Sequence, residues 1–364
     1  MAQGHHQIVT KPRLYTSYPL FLYASGGLNR VRNYIEGVEN LTDDQLYKLI
    51  ILDPSDQVEI EMPATNNWLG WRILPDSFTY DYENDPNLVF NADNSYAMLL
   101  GHNLNSASTS TWITSWNELN DATLTGENAL TIGSETIQNY TSDNSVPSYD
   151  GWSCWKISEQ PSIESKWIGL RLKKQDLTND IPVKIGSLMF GKYFDLPQNC
   201  ELNTKVDFEY GNKTKKSISG KTISSSHWNK PDNWITEPFG LGSENVDNPF
   251  RRNGRRKWAI NFTSLLPKYV TSQNMMLNSN GYVAQDNHST GADGESSLYN
   301  AYNGVDFYTN CVKMTMGGHL PMVMCIDQND KSPSNWAIVR MDKFQVTQKT
   351  PNLYNFKISL TEQI

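Results

Sequence analysis

The chain has no complete Gly-x-x-x-x-Gly-Lys-Ser/Thr phosphate loop, no His-Glu-x-x-His zinc helix, no Gly-x-Ser-x-Gly nucleophile elbow and no Cys-x-x-Cys pair. Its six histidines are a thin supply of general bases. Its four cysteines, Cys154, Cys200, Cys311 and Cys325, are too few and too widely spaced for a disulfide framework and are expected as free, buried thiols. No stretch approaches the roughly 18 consecutive apolar residues of a membrane-spanning helix. The opening MAQGHHQIVTKPRLYTSYPLFLYASGG lacks the basic region and uninterrupted apolar run of a secretory leader. Sustained Ala, Leu, Glu and Lys at helical spacing are also missing. These absences lead to the expectation of no catalytic residues, no metal site, no cofactor and no membrane contact.

What is present points to strands. The 364 residues suffice for one large or two ordinary domains. Thirty-one basic against thirty-nine acidic residues, a net charge of −8, argue against a protein that coats nucleic acid over its whole surface. Asn, Ser, Thr, Gly and Asp are abundant alongside 11 Trp and 18 Tyr, the profile of strands joined by many turns. The expected fold is all-β or predominantly β, with sandwich- or barrel-like sheets, long loops and a few short helices.

Along the chain, residues 1–35 read as an extended N-terminal arm. Pro12 and Pro19 interrupt helical continuity, and Leu14, Tyr15, Tyr18 and Phe21 supply more apolar surface than a free tail tolerates. Those four residues are expected against a neighbouring subunit or the rim of the chain's own domain. Residues 36–175 read as a turn-rich β domain or insertion, and residues 176–364 as a β-sandwich-like domain with long loops at 220–250 and 263–303. TDDQLYKLI (42–50) carries a capping box and one apolar stripe, which predicts a short helix. QVEIEMP, SCWKISEQP, SKWIGLRLKK, IPVKIGSLMFGKYFDLP, VDFYTNCVKM, LPMVMCIDQ, NWAIVRMDKFQVTQ and NLYNFKISLTE read as strands. In the last of these Tyr354, Phe356, Ile358 and Leu360 share one face. TKVDFEYGNKTKKSIS reads as a hairpin turning at Gly211-Asn212, with Glu209 facing Thr214 and Lys216 across it.

Few residues stand out as functional. RRNGRRKWAINF (251–262) places Arg251, Arg252, Arg255, Arg256 and Lys257 at the entry to an alternating strand in which Trp258, Ile260 and Phe262 share a face. A turn-borne cluster of this kind suits bidentate pairing with carboxylates of a neighbouring protein better than groove binding, so direct DNA binding is not expected. Trp112, Trp116, Trp228 and Trp234 are candidates to stack on sugar rings, and equally to fill a core or dock a subunit. His5, His6, His227 and His319 have no companion ligands at fixed spacing and read as structural or incidental.

The segments GSLMFGKYFDLP (186–197), RRNGRRKWAINF and WAIVRMDKFQVTQKTPNLYNFKISLTE (336–362), with the opening KPRLYTSYPLFLYASGG, resemble structural proteins of tailed bacteriophages, particularly those encoded near tail and baseplate genes. The resemblance does not reach residues 66–160. It implies a virion protein of the tail, baseplate or neck, made in the host cytoplasm. Distal tail proteins of that group are β-rich, assemble as rings around the tail channel and bind other tail proteins rather than transform a substrate. The long turn-rich first half departs from their pattern and leaves a head–tail connector or decoration role open. A carbohydrate-binding β-sandwich module on a virion is the alternative.

Overall fold

The computed structural model describes residues 11–62, 68–73, 94–116, 130–131, 134–138, 145–157, 167–202, 204–210, 212–226, 255–270, 306–329, 335–351 and 353–363. Within them the chain is predominantly β, and elements are numbered here in chain order. A ten-stranded sheet dominates. In spatial order it contains β13 (Lys205–Glu209), β16 (Arg255–Leu265), β19 (Leu353–Glu362), β18 (Trp336–Thr350), β17 (Met322–Cys325), β1 (Arg13–Tyr15), β12 (Ser187–Asp195), β5 (Ser95–His102), β9 (Gly151–Ile157) and β8 (Ser134–Gln138). A five-stranded sheet has the order β2 (Ile35–Glu36), β4 (Trp68–Ile73), β10 (Trp167–Lys174), β6 (Thr109–Trp116) and β7 (Leu130–Thr131). Two small pairs complete the set, β3 (Val58–Ile60) with β11 (Val183–Ile185), and β14 (Asn212–Lys216) with β15 (Thr222–Ser226).

The period-2 geometry of strands explains how one sheet serves two cores. In β17, Val323 and Cys325 join one apolar cluster while Met322 and Met324 join the other. Trp336 and Ile338 of β18 likewise divide from Ala337 and Val339, and Tyr15 of β1 from Leu14. The first core takes Trp71, Ile113, Ile168 and Leu170 from the five-stranded sheet together with both faces of β5, β9 and β12, Met98 on one and Trp155 and Phe190 on the other, in a sandwich-like arrangement. The second gathers Trp258, Ile260, Phe262, Phe356, Ile358 and Leu360, so the alternation expected of β16 and β19 is the alternation observed. Phe262 and Phe356 stack with ring centroids 5.6 Å apart.

Three local expectations change. The arm is not extended: β1 lies between β12 and β17, and residues Tyr18–Tyr34 are helical (α1), broken at Gly27, whose φ of 74° is a conformation glycine tolerates. Pro19 does not prevent this helix because it stands in the first turn, where its missing N–H needs no partner, and Ser17 caps the Leu20 N–H. The 205–218 hairpin does not form. β13 pairs instead with the basic strand β16, and β14 pairs with β15, because the β16 register sets Asp207 and Glu209 opposite Lys257 and Arg255. The segment VDFYTNCVKM is not a strand but a π-helix over Tyr308–Lys313. Asp306 accepts from the Thr309 N–H and hydroxyl at its start, and Phe307 and Cys311 bury on one side. The capping box over α2 (Asp43–Ile50) is present in full.

The large sheet also crosses the expected segment limits. β1 comes from residues 1–35, β5, β8 and β9 from 36–175, and the rest from 176–364, all in one hydrogen-bonded ladder.

Candidate functional site

The apolar residues expected at an interface lie inside the chain's own core. Leu14, Tyr15 and Tyr18 are fully buried, and Phe21 is half-buried against the first core. Tyr15 packs edge-on to Tyr96 with centroids 4.9 Å apart and stacks on Trp336 at 5.3 Å. The Tyr96 hydroxyl donates to the Thr16 carbonyl at 2.8 Å. At the strand's outer end Arg13 donates to Asp195 at 2.5 and 2.8 Å and to Gln328 at 2.9 Å. Their apolarity is therefore satisfied within the chain, which leaves Leu14, Tyr15 and Tyr18 no side-chain surface for a neighbour.

Of the basic residues, Arg251 and Arg252 lie outside the described residues. Arg256 is paired within the chain rather than with a neighbour. Its guanidinium meets the Glu362 carboxylate, closest at 2.5 Å, donates to the Trp336 carbonyl at 2.8 Å, and lies 5.0 Å from the Trp258 ring centre. Glu362 is 1 % exposed, so this pair stands in for the water its carboxylate has lost. Lys257 contacts Glu209 at 2.9 Å and holds that carboxyl below its ordinary range, with Arg255 opposite in the ladder.

The tryptophans divide similarly. Trp112 is mid-strand in β6 and buried, with the Arg171 guanidinium 5.3 Å from its ring centre, so its face is not open to a sugar. Trp116 stands opposite Trp167 in the β6–β10 register. The side chain of Trp116, and the whole of Trp228 and Trp234, lie outside the described residues, as do His5, His6 and His227. His319 is exposed.

Among the described residues, His102, a histidine that the sequence did not single out, is a strongly perturbed base. His102 Nε2 lies 2.7 Å from Ser153 Oγ, and the Leu104 N–H donates to Nδ1 at 3.3 Å. With Nδ1 accepting, the neutral ring carries its proton on Nε2 and donates it to the serine. That tautomer cannot take the serine's proton, so the pair is a buried cross-link between β5 and β9. Burial pushes the His102 pKa down to about 3. Stability linked to the neutral ring is therefore complete above the unfolded value of about 6.5 and is lost as pH falls toward the folded value. Calorimetry from neutral to acid pH should show a His102 contribution of about 1.4 kcal/mol per pH unit across that window. His102→Gln should flatten that part of the acid limb, and an unchanged slope would sink the assignment.

Among the described residues, β13 forms one open edge of the large sheet. Val206, Phe208 and Tyr210 are 44 %, 57 % and 38 % exposed. Val206 and Phe208 stand opposite Trp258 and Arg256, so they continue the face of the second core outward, while Lys205, Asp207 and Glu209 occupy the other face. Arg256 turns its backbone N–H toward Glu362 on the β19 side. In an antiparallel pair its opposite number, Phe208, then points its own N–H and C=O away from β16, into the open side. Among the described residues no strand pairs there. An apolar, hydrogen-bond-ready edge is a template for another strand. No family model matches the chain, and no curated protein matches it.

Proposed function

We propose that this chain is a non-enzymatic structural subunit of a tailed-phage particle, in the tail, baseplate or neck, which assembles in several copies as a ring and contacts other virion proteins. Assembly is supported by one observation above the rest, the open β13 edge with Val206, Phe208 and Tyr210 exposed beside a ladder of alternating charge. A strand addition there satisfies backbone groups and covers apolar surface in the same step. Placement in a virion rests on the resemblance carried by residues 186–197, 251–262 and 336–362. Light scattering on the purified chain should report a multi-copy species, and electron microscopy of intact particles should locate repeated copies in the tail or neck. A strictly monomeric chain found as isolated single copies is the result that defeats this reading.

A further inference from the structure

We infer that β13 pairs antiparallel with β13 of a second copy of this chain, about a two-fold axis at Val206. The inference rests on the assembly reading above and names its contact. The outward-facing backbone groups of β13 belong to Val206 and Phe208, by the alternation that the Arg256–Glu362 bond establishes, while the Thr204 N–H just before the strand is bonded to the Glu201 carbonyl at 3.1 Å. A second copy presents the same groups, and a two-fold contact joins like surfaces.

Charge selects the register. Opposite residues in an antiparallel pair share a face, so the polar face of β13, Lys205, Asp207 and Glu209, meets its own copy. Centring on Val206 sets Lys205 opposite Asp207 of the second copy, twice by symmetry, with no like charges directly opposed. Centring on Asp207 sets Lys205 opposite Glu209 twice but sets the Asp207 carboxylate against itself, in a non-hydrogen-bonded pair with Cα atoms only about 4.5 Å apart. Centring on Phe208 opposes Asp207 and Glu209 twice. Like charges directly opposite destabilise a strand pair, and of the three arrangements the one centred on Val206 alone opposes none. On the other face it places Val206 against Val206 and Thr204 against Phe208, covering apolar surface that is exposed in one copy. The chain's net charge of −8 does not oppose this locally, because Lys205, Arg255, Arg256 and Lys257 balance Glu201, Asp207, Glu209 and Glu362 around this edge. A ring then requires a separate head-to-tail contact, and the β13 pair joins two protomers across it.

Single cysteines at 206, 207 and 208 read the register directly. The four native thiols are buried and free, so an engineered thiol on the exposed edge is the reactive one. At the two-fold axis a hydrogen-bonded pair has Cα atoms about 5.5 Å apart, within the span a disulfide bridges. Mild oxidation of the full chain should link Val206→Cys into dimers several-fold more than Asp207→Cys or Phe208→Cys. Charge provides a second reading: Lys205→Asp and Asp207→Lys should each weaken self-association about tenfold, since two attractive pairs become repulsive, and an equimolar mixture should restore it. Restoration identifies a second copy as the occupant. Cross-linking that favours residue 207 or 208, or a mixture no better than its parts, overturns the inference. If light scattering still reports a multi-copy species in those cases, the assembly reading survives without this contact, whereas a monomer removes both.

Discussion

Replacing Tyr15 with Ala is expected to cost about 3 to 5 kcal/mol of stability, and deleting residues 1–17 is expected to abolish cooperative folding. The strand is short, yet it is hydrogen-bonded on both sides: Arg13, Leu14 and Tyr15 pair with Asp195, Phe194 and Tyr193 on β12 and with Cys325, Met324 and Val323 on β17. Losing it separates the half of the sheet containing β5, β8, β9 and β12 from the half containing β13 and β16 to β19. Tyr15 also fills the first core against Tyr96, Tyr193 and Trp336, and Leu14 fills the second, so the strand connects both clusters. A buried aromatic truncated to Ala leaves a cavity that close-packed neighbours cannot collapse to fill. Urea unfolding of the Tyr15→Ala chain measures the loss directly. A cost below about 1 kcal/mol would mean that β1 is peripheral rather than central.

Arg256→Ala is expected to destabilise by about 3 to 5 kcal/mol, although this residue belongs to a run that reads as surface charge. The cost comes from what is left behind. Glu362 is 1 % exposed and Arg256 20 %, and removing the guanidinium strands a buried carboxylate beside the Trp336 carbonyl. Lys257→Ala tests the contrast, because its pair with Glu209 is open to water and such pairs contribute about 1 kcal/mol or less. Arg256→Met with Glu362→Leu removes both charges together and should recover most of the loss. Thermal and urea unfolding of the single and double variants form the cycle. If Arg256→Ala and Lys257→Ala prove equally mild, the buried-pair account is wrong. The same geometry alters what charge reversal does. Changing both Arg255 and Arg256 to Glu would set a carboxylate against Glu362, so the expected effect is unfolding of the subunit, not a selective loss of assembly.

Features set by neighbouring residues were legible in the sequence. Alternation along 258–262 and 356–360 named the buried faces of β16 and β19, since side-chain direction in a regular strand follows position modulo two whatever the partner. Thr42 and Gln45 announced α2 because a capping box closes within one turn. A predominantly β composition announced a predominantly β fold. Partner choice was not legible, because it is settled between residues far apart in the chain. Lys205–Glu209 has a turn-like Gly-Asn after it and local lysines to meet, yet it pairs with β16, where a strand with a buried face and a longer ladder outcompetes a polar hairpin. The Arg256–Glu362 contact spans 106 positions. The 305–314 segment satisfies a strand period and a helical face equally well, and burial of Phe307 and Cys311 together in the second core chose the helix. Leu14 and Tyr15 announced only that they must be covered. That the cover is the chain's own two cores, and that β13 stands at an open edge among the described residues, was decided by the tertiary structure, because burial is a property of every element packed around a residue and local sequence carries only the demand for it.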